Sequence, residues 1–209
     1  MNKLAQSIAF GLLDIRAIKF NFIEPFVWTS GLKSPIYCDN RISLSHCELR
    51  TMIKDAYVQI IRENFPDTQL IAGVATGAVA QGALVADKLN LPFVYVREKS
   101  KAHGLKKLVE GIIEPGQKTV IIEDLVSTGG SSLRAMKELM KEGANVLGMT
   151  AIFSYEFPET IKIFKANDCK LFTLCNFSVL KDVAVEKGDI TIEEAVQLMQ
   201  WHEHTSSPS

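Results

Sequence analysis

Five short apolar runs limit what this chain can fold into: LIAGV (70–74), FVYV (93–96), TVIIE (119–123), VLGMTAIF (146–153) and LFTL (171–174). Each run is continuous rather than alternating, the pattern of strands whose two faces are both covered. Helical spacing falls between them, at Val79, Ala83, Ala86 and Leu89 in one segment and at Leu133, Met136, Leu139 and Met140 in another. Alternation of this kind predicts an α/β fold with a mostly parallel central sheet flanked by helices. In such sheets ligands sit beyond the carboxyl ends of the strands. The residues just after Val74, Val96 and Ile122 are therefore where a site is expected.

The remaining features narrow the class. At 209 residues and 47% hydrophobic, the chain can bury a core without a disulfide or metal. Its 23 Lys and Arg against 24 Asp and Glu leave a net charge of -1, which argues against a nucleic-acid binder. The uncharged stretch Thr68–Ala86 approaches membrane-spanning length, but it is rich in Ala, Gly and Thr, and Gly73, Gly77 and Gly82 divide it into strand, turn and helix. No membrane partner is expected. The N-terminal stretch, broken by Asp14 and Arg16, reads as an amphipathic helix and not as a signal peptide. Cys38, Cys47, Cys169 and Cys175 match no zinc-ligand spacing and read as buried, reduced thiols of a cytoplasmic protein.

The sharpest chemistry lies in TVIIEDLVSTGGSSLRAM (119–136). A buried strand ends in two adjacent acids, Glu123 and Asp124, and a Thr-Gly-Gly-Ser-Ser turn then opens a helix. Gly129 and Gly130 allow positive φ, and the free N–H groups of the helix start suit an anion such as phosphate. No GK[ST] follows, so this is not a nucleoside-triphosphatase loop. Acids repel a bare phosphate and must meet something else. They suit the vicinal hydroxyls of a ribose, a Mg²⁺ held through water, or positive charge developing on a sugar carbon. Diol and phosphate together point to a ribose 5-phosphate moiety.

Three further segments border the same sheet edge or precede it. REKSKAHGLKKLVEGIIEPGQK (97–118) is long and highly charged, as a functional lid or a solvated surface loop would be, and its LVEGI and PGQ suggest a short hairpin at the far end. GVATGAVAQG (73–82) offers small side chains and open amides suited to pyrophosphate, or simply a tight strand–helix turn. In TSGLKSPIYCDNR (29–41), Gly31 and Pro35 set a turn, while Lys33 and Arg41 supply cations; a structural hairpin would explain the segment equally. Phe26 and Trp28 read as core residues.

IIEDLVSTGGSS resembles the phosphoribosyl pyrophosphate signature of the type I phosphoribosyltransferases. With TSGLKSPIYCDNR and VREKSKAHG (96–104) in the same order, the chain more narrowly resembles the orotate phosphoribosyltransferases. That resemblance implies the type I fold with a small N-terminal hood over the base. Residues 1–45 would form the hood and base-binding segment, 46–203 the core and 204–209 a frayed tail. It implies transfer of ribose 5-phosphate from phosphoribosyl pyrophosphate to orotate, as in de novo UMP synthesis, with Mg²⁺ as cofactor. The metal would be held by pyrophosphate, ribose hydroxyls and water, without direct protein ligands.

Residue by residue, the resemblance makes Arg97, Lys101 and His103 the loop cations that meet the leaving group. Glu123, Asp124, Leu125, Val126, Ser127, Thr128, Gly129, Gly130 and Ser131 become the ribose and phosphate contacts, and Ala75 and Thr76 the pyrophosphate turn. Tyr37 and Cys38 would lie near the orotate ring, with Lys33 as support or anion contact. The Arg that the family places after its fourth strand for orotate's carboxylate is absent from AIFSYEFPE (151–159), which leaves Ser127 as a donor. The loop 97–110 would be shared across a homodimer. The alternatives are a purine-base enzyme of the same fold and a non-catalytic sensor of phosphoribosyl pyrophosphate.

Overall fold

A computed structural model describes residues 3–28, 31–98 and 107–205. Its centre is a six-stranded sheet made of β5 (Leu70–Val74), β6 (Phe93–Val96), β7 (Val109–Glu110), β8 (Lys118–Val126), β9 (Asn145–Ser154) and β10 (Leu171–Asn176). The strands lie in the order β10-β9-β8-β5-β6-β7, all parallel except the β6–β7 pair. β5 and β6 coincide with the runs read from sequence. β8 continues three residues past its run, through Asp124, Leu125 and Val126.

Continuous apolar runs are explained by two cores, one on each face. Ile71, Val120, Ile122 and Ile152 point into one; Leu70, Ala72, Ile121 and Met149 point into the other. The first face is covered by helices α1 (Lys3–Asp14), α2 (Cys47–Asn64), α3 (Val79–Leu89) and α6 (Phe177–Lys187). The second is covered by α4 (Gly130–Lys141) and α5 (Pro158–Ala166). α7 (Ile192–Thr205) closes the chain on the first side, burying Ala195 and Leu198. No helix among the described residues is long and apolar enough to cross a membrane.

The N-terminal region is less separate than the sequence suggested. Its strands form two antiparallel pairs, β1 (Ile18–Phe20) with β4 (Ile36–Cys38), and β2 (Phe26–Val27) with β3 (Lys33–Ser34). These make the hood, and a 3-10 helix (Asn40–Ser45) joins it to α2. α1, assigned with the hood from sequence, belongs to the core: Ile8, Leu12 and Leu13 are buried in the same cluster as Ile53 and Leu180. The tail boundary also moves, because α7 runs through His204 and Thr205. Residues 206–209 lie outside the described residues.

Aromatic packing locks the hood down. Trp28, half-buried against the core, contacts Tyr155 at 4.8 Å and Trp201 at 6.0 Å, and Trp201 Nε1 donates to the Lys33 carbonyl at 2.9 Å; Phe26, expected in the core with it, lies in neither buried cluster. His202 stacks on Phe177 at 4.2 Å. Three of the four thiols are buried, as expected; Cys47, at the start of α2, is exposed instead. Burial pushes Cys169 up to about 11 and Cys175 up to about 12.

Candidate active site

The strand order reverses its direction of growth between β5 and β8, since β6 is added on one side and β9 and β10 on the other. Such a reversal opens a crevice at the carboxyl ends of the two strands. β5 gives way there to Ala75, Thr76 and Gly77, and β8 carries Glu123 and Asp124 just past its last pair with β5. Pairing of the two strands stops at Gly73 and Ile122, so β8 overruns its neighbour. Side chains take over where the ladder stops. Tyr57 Oη donates to the Glu123 carbonyl at 2.6 Å, and Asn40 Nδ2 to the Asp124 carbonyl at 2.6 Å.

The two acids do not share a surface. Successive strand residues face opposite ways, and Glu123 turns toward α4, where Ser132 Oγ donates to its Oε2 at 2.8 Å. The Asp124 N–H donates to Glu123 Oε1 at 3.1 Å. Glu123 is 4% exposed and Asp124 half-buried. Asp124 lies against the β5 turn so closely that a Cβ on Gly77 would sit 2.1 Å from its Oδ2. Burial, reinforced by the Asp124 charge, pushes the Glu123 carboxyl well above the ordinary carboxylate range. Burial raises Asp124 as well, against a lowering contribution from the Arg41 guanidinium. Arg41 itself grips Asp39 through two nitrogens, at 2.7 and 2.8 Å, and that bond holds the Asp39 carboxyl low.

These raised values couple stability to pH. A carboxyl that is raised in the folded state stabilises it fully below the ordinary carboxylate range, and that contribution is lost as pH rises through the folded value. Glu123→Gln therefore melts higher than the parent at pH 8, and the gain shrinks toward pH 5. Each ~1 kcal/mol of relief corresponds to about 2–4 °C in a chain of this size. Calorimetry across that range checks it; a gain that does not vary with pH would place the buried charge elsewhere.

Beyond the acids, the loop turns as a phosphate cradle would. None of the backbone N–H groups from Thr128 to Ser132 donates to an acceptor among the described residues, so all five are open to an anion. Gly129 has φ +78°, and a Cβ there would meet Phe164 at 2.6 Å. Gly130, expected to share that backbone freedom, starts α4 without a positive φ. Thr128 and Ser131 are exposed and Ser127 half-buried, its carbonyl accepting from Thr160 Oγ1 at 2.7 Å. Leu125 and Val126 pack into the two cores, so only their main chain can serve a ligand. Across the crevice the Ala75–Thr76 peptide is cis, and Thr76 is exposed.

The long connection returns to the sheet. Val109–Glu110 pairs antiparallel with Tyr95–Val96, and the Arg97 N–H donates to the Leu108 carbonyl at 2.8 Å. The hairpin thus joins the loop's two roots, whereas the sequence had suggested one built from LVEGI and PGQ. Arg97 pairs with Glu110 at 3.4 Å. Lys101 and His103 lie outside the described residues. In the hood, Lys33 and Tyr37 are exposed, Tyr37 beside Phe26 at 5.5 Å. Cys38, expected near the same ring as Tyr37, faces inward by strand alternation, and its thiol meets Asn40 Oδ1 at 3.2 Å. Glu156 stands in the segment where the family's Arg was expected, and it accepts from Asn176 and Ser178 at the start of α6. Sequence reasoning missed Tyr57 and Asn40, because each acts on a residue far along the chain, and Ser132, because its role depends on which way Glu123 turns.

The phosphoribosyl transferase domain family matches residues 45–178. Orotate phosphoribosyltransferase of Streptococcus mutans is 49% identical over 201 residues, 96% of this chain and 96% of that protein. The chain belongs to the orotate phosphoribosyltransferase family. The orotate phosphoribosyltransferase of Bacteroides fragilis is 48% identical over 96% of this chain and 95% of its own length. Among solved structures, an orotate phosphoribosyltransferase from Aeropyrum pernix superposes with a TM-score of 0.76 at 23% identity, covering 88% of this chain and 99% of that one. The type I phosphoribosyltransferase fold read from sequence is the fold observed. In this member of the family, Asp124, the open-amide loop and the β5 turn meet at one mouth, while Glu123 lies behind it against Ser132.

Proposed function

We propose that the chain transfers the 5-phosphoribosyl group of phosphoribosyl pyrophosphate to N1 of orotate, giving orotidine 5-phosphate and pyrophosphate, as a cytoplasmic, Mg²⁺-dependent homodimer. One observation carries the reading of the sugar: Asp124 projects into the crevice against Gly77, beside five unused amides at the start of α4. A 5-phosphate on those amides brings the ribose hydroxyls to Asp124. Relatives 48–49% identical over 96% of the chain support orotate as the base. Three buried free thiols suit a reducing compartment.

Catalysis here is positioning and charge stabilisation. The deprotonated ring nitrogen of orotate attacks the anomeric carbon as the pyrophosphate oxygen leaves, inverting that carbon; no protein nucleophile is needed. Asp124 holds the ribose and favours the oxocarbenium-like charge of the transition state, and Glu123 fixes the strand end through Ser132 and the Asp124 N–H. Thr128–Ser131 hold the 5-phosphate and Ala75 and Thr76 border the pyrophosphate. Arg97, Lys101 and His103 meet the leaving group with charge-assisted hydrogen bonds, and Arg97 exchanges Glu110 for phosphate oxygens when the loop closes. Lys33, Tyr37 and Ser127 face the base.

Among the described residues no group of three or more acidic, His or Cys side chains could hold a metal. Asp124, half-buried against the β5 turn, is the carboxylate that would meet a metal carried on pyrophosphate, through water. A Mg²⁺ ion held there would supply charge neutralisation to the departing pyrophosphate. A base panel tests the reading: orotate, uracil, adenine, hypoxanthine and xanthine, each with phosphoribosyl pyrophosphate, with and without Mg²⁺. Orotate alone turns over, and chelation stops it. Turnover of a purine without orotate would overturn the base assignment, and undiminished turnover in chelator would overturn the metal.

A further inference from the structure

We propose that Asn40 is a positioning residue that holds Asp124 in fixed register with the base-binding hood. The inference rests on the ribose role given to Asp124 above. Asn40 is 2% exposed and sits at the first residue of the 3-10 helix, two residues after β4 of the hood. Both ends of its carboxamide are used. Oδ1 accepts from the Cys38 thiol at 3.2 Å, and Nδ2 donates to the Asp124 carbonyl at 2.6 Å. The orientation is fixed by chemistry, because a flipped amide would set oxygen against the carbonyl.

The location explains the need. The Asp124 carbonyl lies past the last β5–β8 pair, at Gly73 and Ile122, so no strand neighbour on that side restrains it. Asn40 supplies the missing donor from a segment whose preceding residues shape the base site. Its own carbonyl accepts from Ser43 Oγ at 2.6 Å, and Gln81 Nε2 on α3 reaches that hydroxyl at 3.4 Å. A buried polar chain thus runs from the helix behind the β5 turn, through Asn40, to the acid on β8 and the thiol in the hood. Attack of N1 on the anomeric carbon needs the two atoms held near 3–3.5 Å, and a misplacement of about 1 Å costs on the order of 100-fold. One side chain bridging hood and ribose acid sets that distance.

A double-mutant cycle tests it, with Asn40→Ala and Asp124→Asn made singly and together in the full-length enzyme. Asn40→Ala lowers kcat by about 10–100-fold, with KM for orotate and for phosphoribosyl pyrophosphate each within about threefold of the parent. In the Asp124→Asn background the same change costs less than about threefold. Asn40→Ser, which leaves a small polar group in the buried space, enters the cycle if Asn40→Ala does not fold. An equal loss of kcat in both backgrounds would overturn the proposal and leave Asn40 a packing residue. Parental turnover of Asp124→Asn alone would instead overturn the ribose assignment itself.

Discussion

Gly77→Ala lowers kcat/KM for phosphoribosyl pyrophosphate by about 10²–10³-fold, the effect of losing one preorganised transition-state contact. The added methyl would lie 2.1 Å from Asp124 Oδ2, 2.2 Å from its Cγ and 2.5 Å from its Oδ1. Real side chains do not approach so closely, so the carboxylate or the turn must move. The turn is held by the Ala75 N–H to the Val96 carbonyl at 2.8 Å and the Ala78 N–H to the Val74 carbonyl at 3.0 Å. The carboxylate is the freer partner and swings out of the crevice. Gly77 has no positive φ, so the alanine brings no backbone strain and the melting temperature stays near the parent's. Steady-state kinetics beside a thermal melt separates the two effects. A variant that keeps the parent's kcat/KM would show that Asp124 does no work where it stands.

Lys101→Ala lowers kcat by about 10²–10³-fold and leaves KM for orotate almost unchanged, since the contact is made to charge that appears only as pyrophosphate departs. Lys101 itself lies outside the described residues, but the roots of its loop are well placed. Arg97 and Leu108 are bonded at the end of β6, and β6 is the immediate neighbour of β5 and its turn. The same variant tests whether the loop serves the partner subunit. Lys101→Ala subunits mixed with Asp124→Asn subunits regain activity if each site borrows its loop across the dimer, because one site in every hybrid is then intact. If each subunit uses its own loop, both sites in the hybrid are damaged and no activity returns.

Several residues change meaning once the fold is known. Glu123 and Asp124 look like a matched pair in the sequence, yet strand alternation sends one to Ser132 and the other to Gly77. Tyr37 and Cys38 are parted by the same rule, leaving the thiol inside and the phenol outside. Gly129 needs the freedom expected of it, whereas Gly130 only begins a helix.

Local pattern alone determined the strands β5 and β6, residue for residue, together with the acids at the end of β8 and the glycine turn behind them. Those features are legible because burial on both faces, turn chemistry and helix starts are each written within about ten neighbouring residues. The tertiary structure decided the strand order and its reversal between β5 and β8. It also placed α1 in the core and put Gly77 against Asp124. It brought Asn40 and Tyr57 to carbonyls 84 and 66 residues away. Contacts of that span follow from how whole elements pack, and no periodicity along the chain encodes which distant groups packing will bring together.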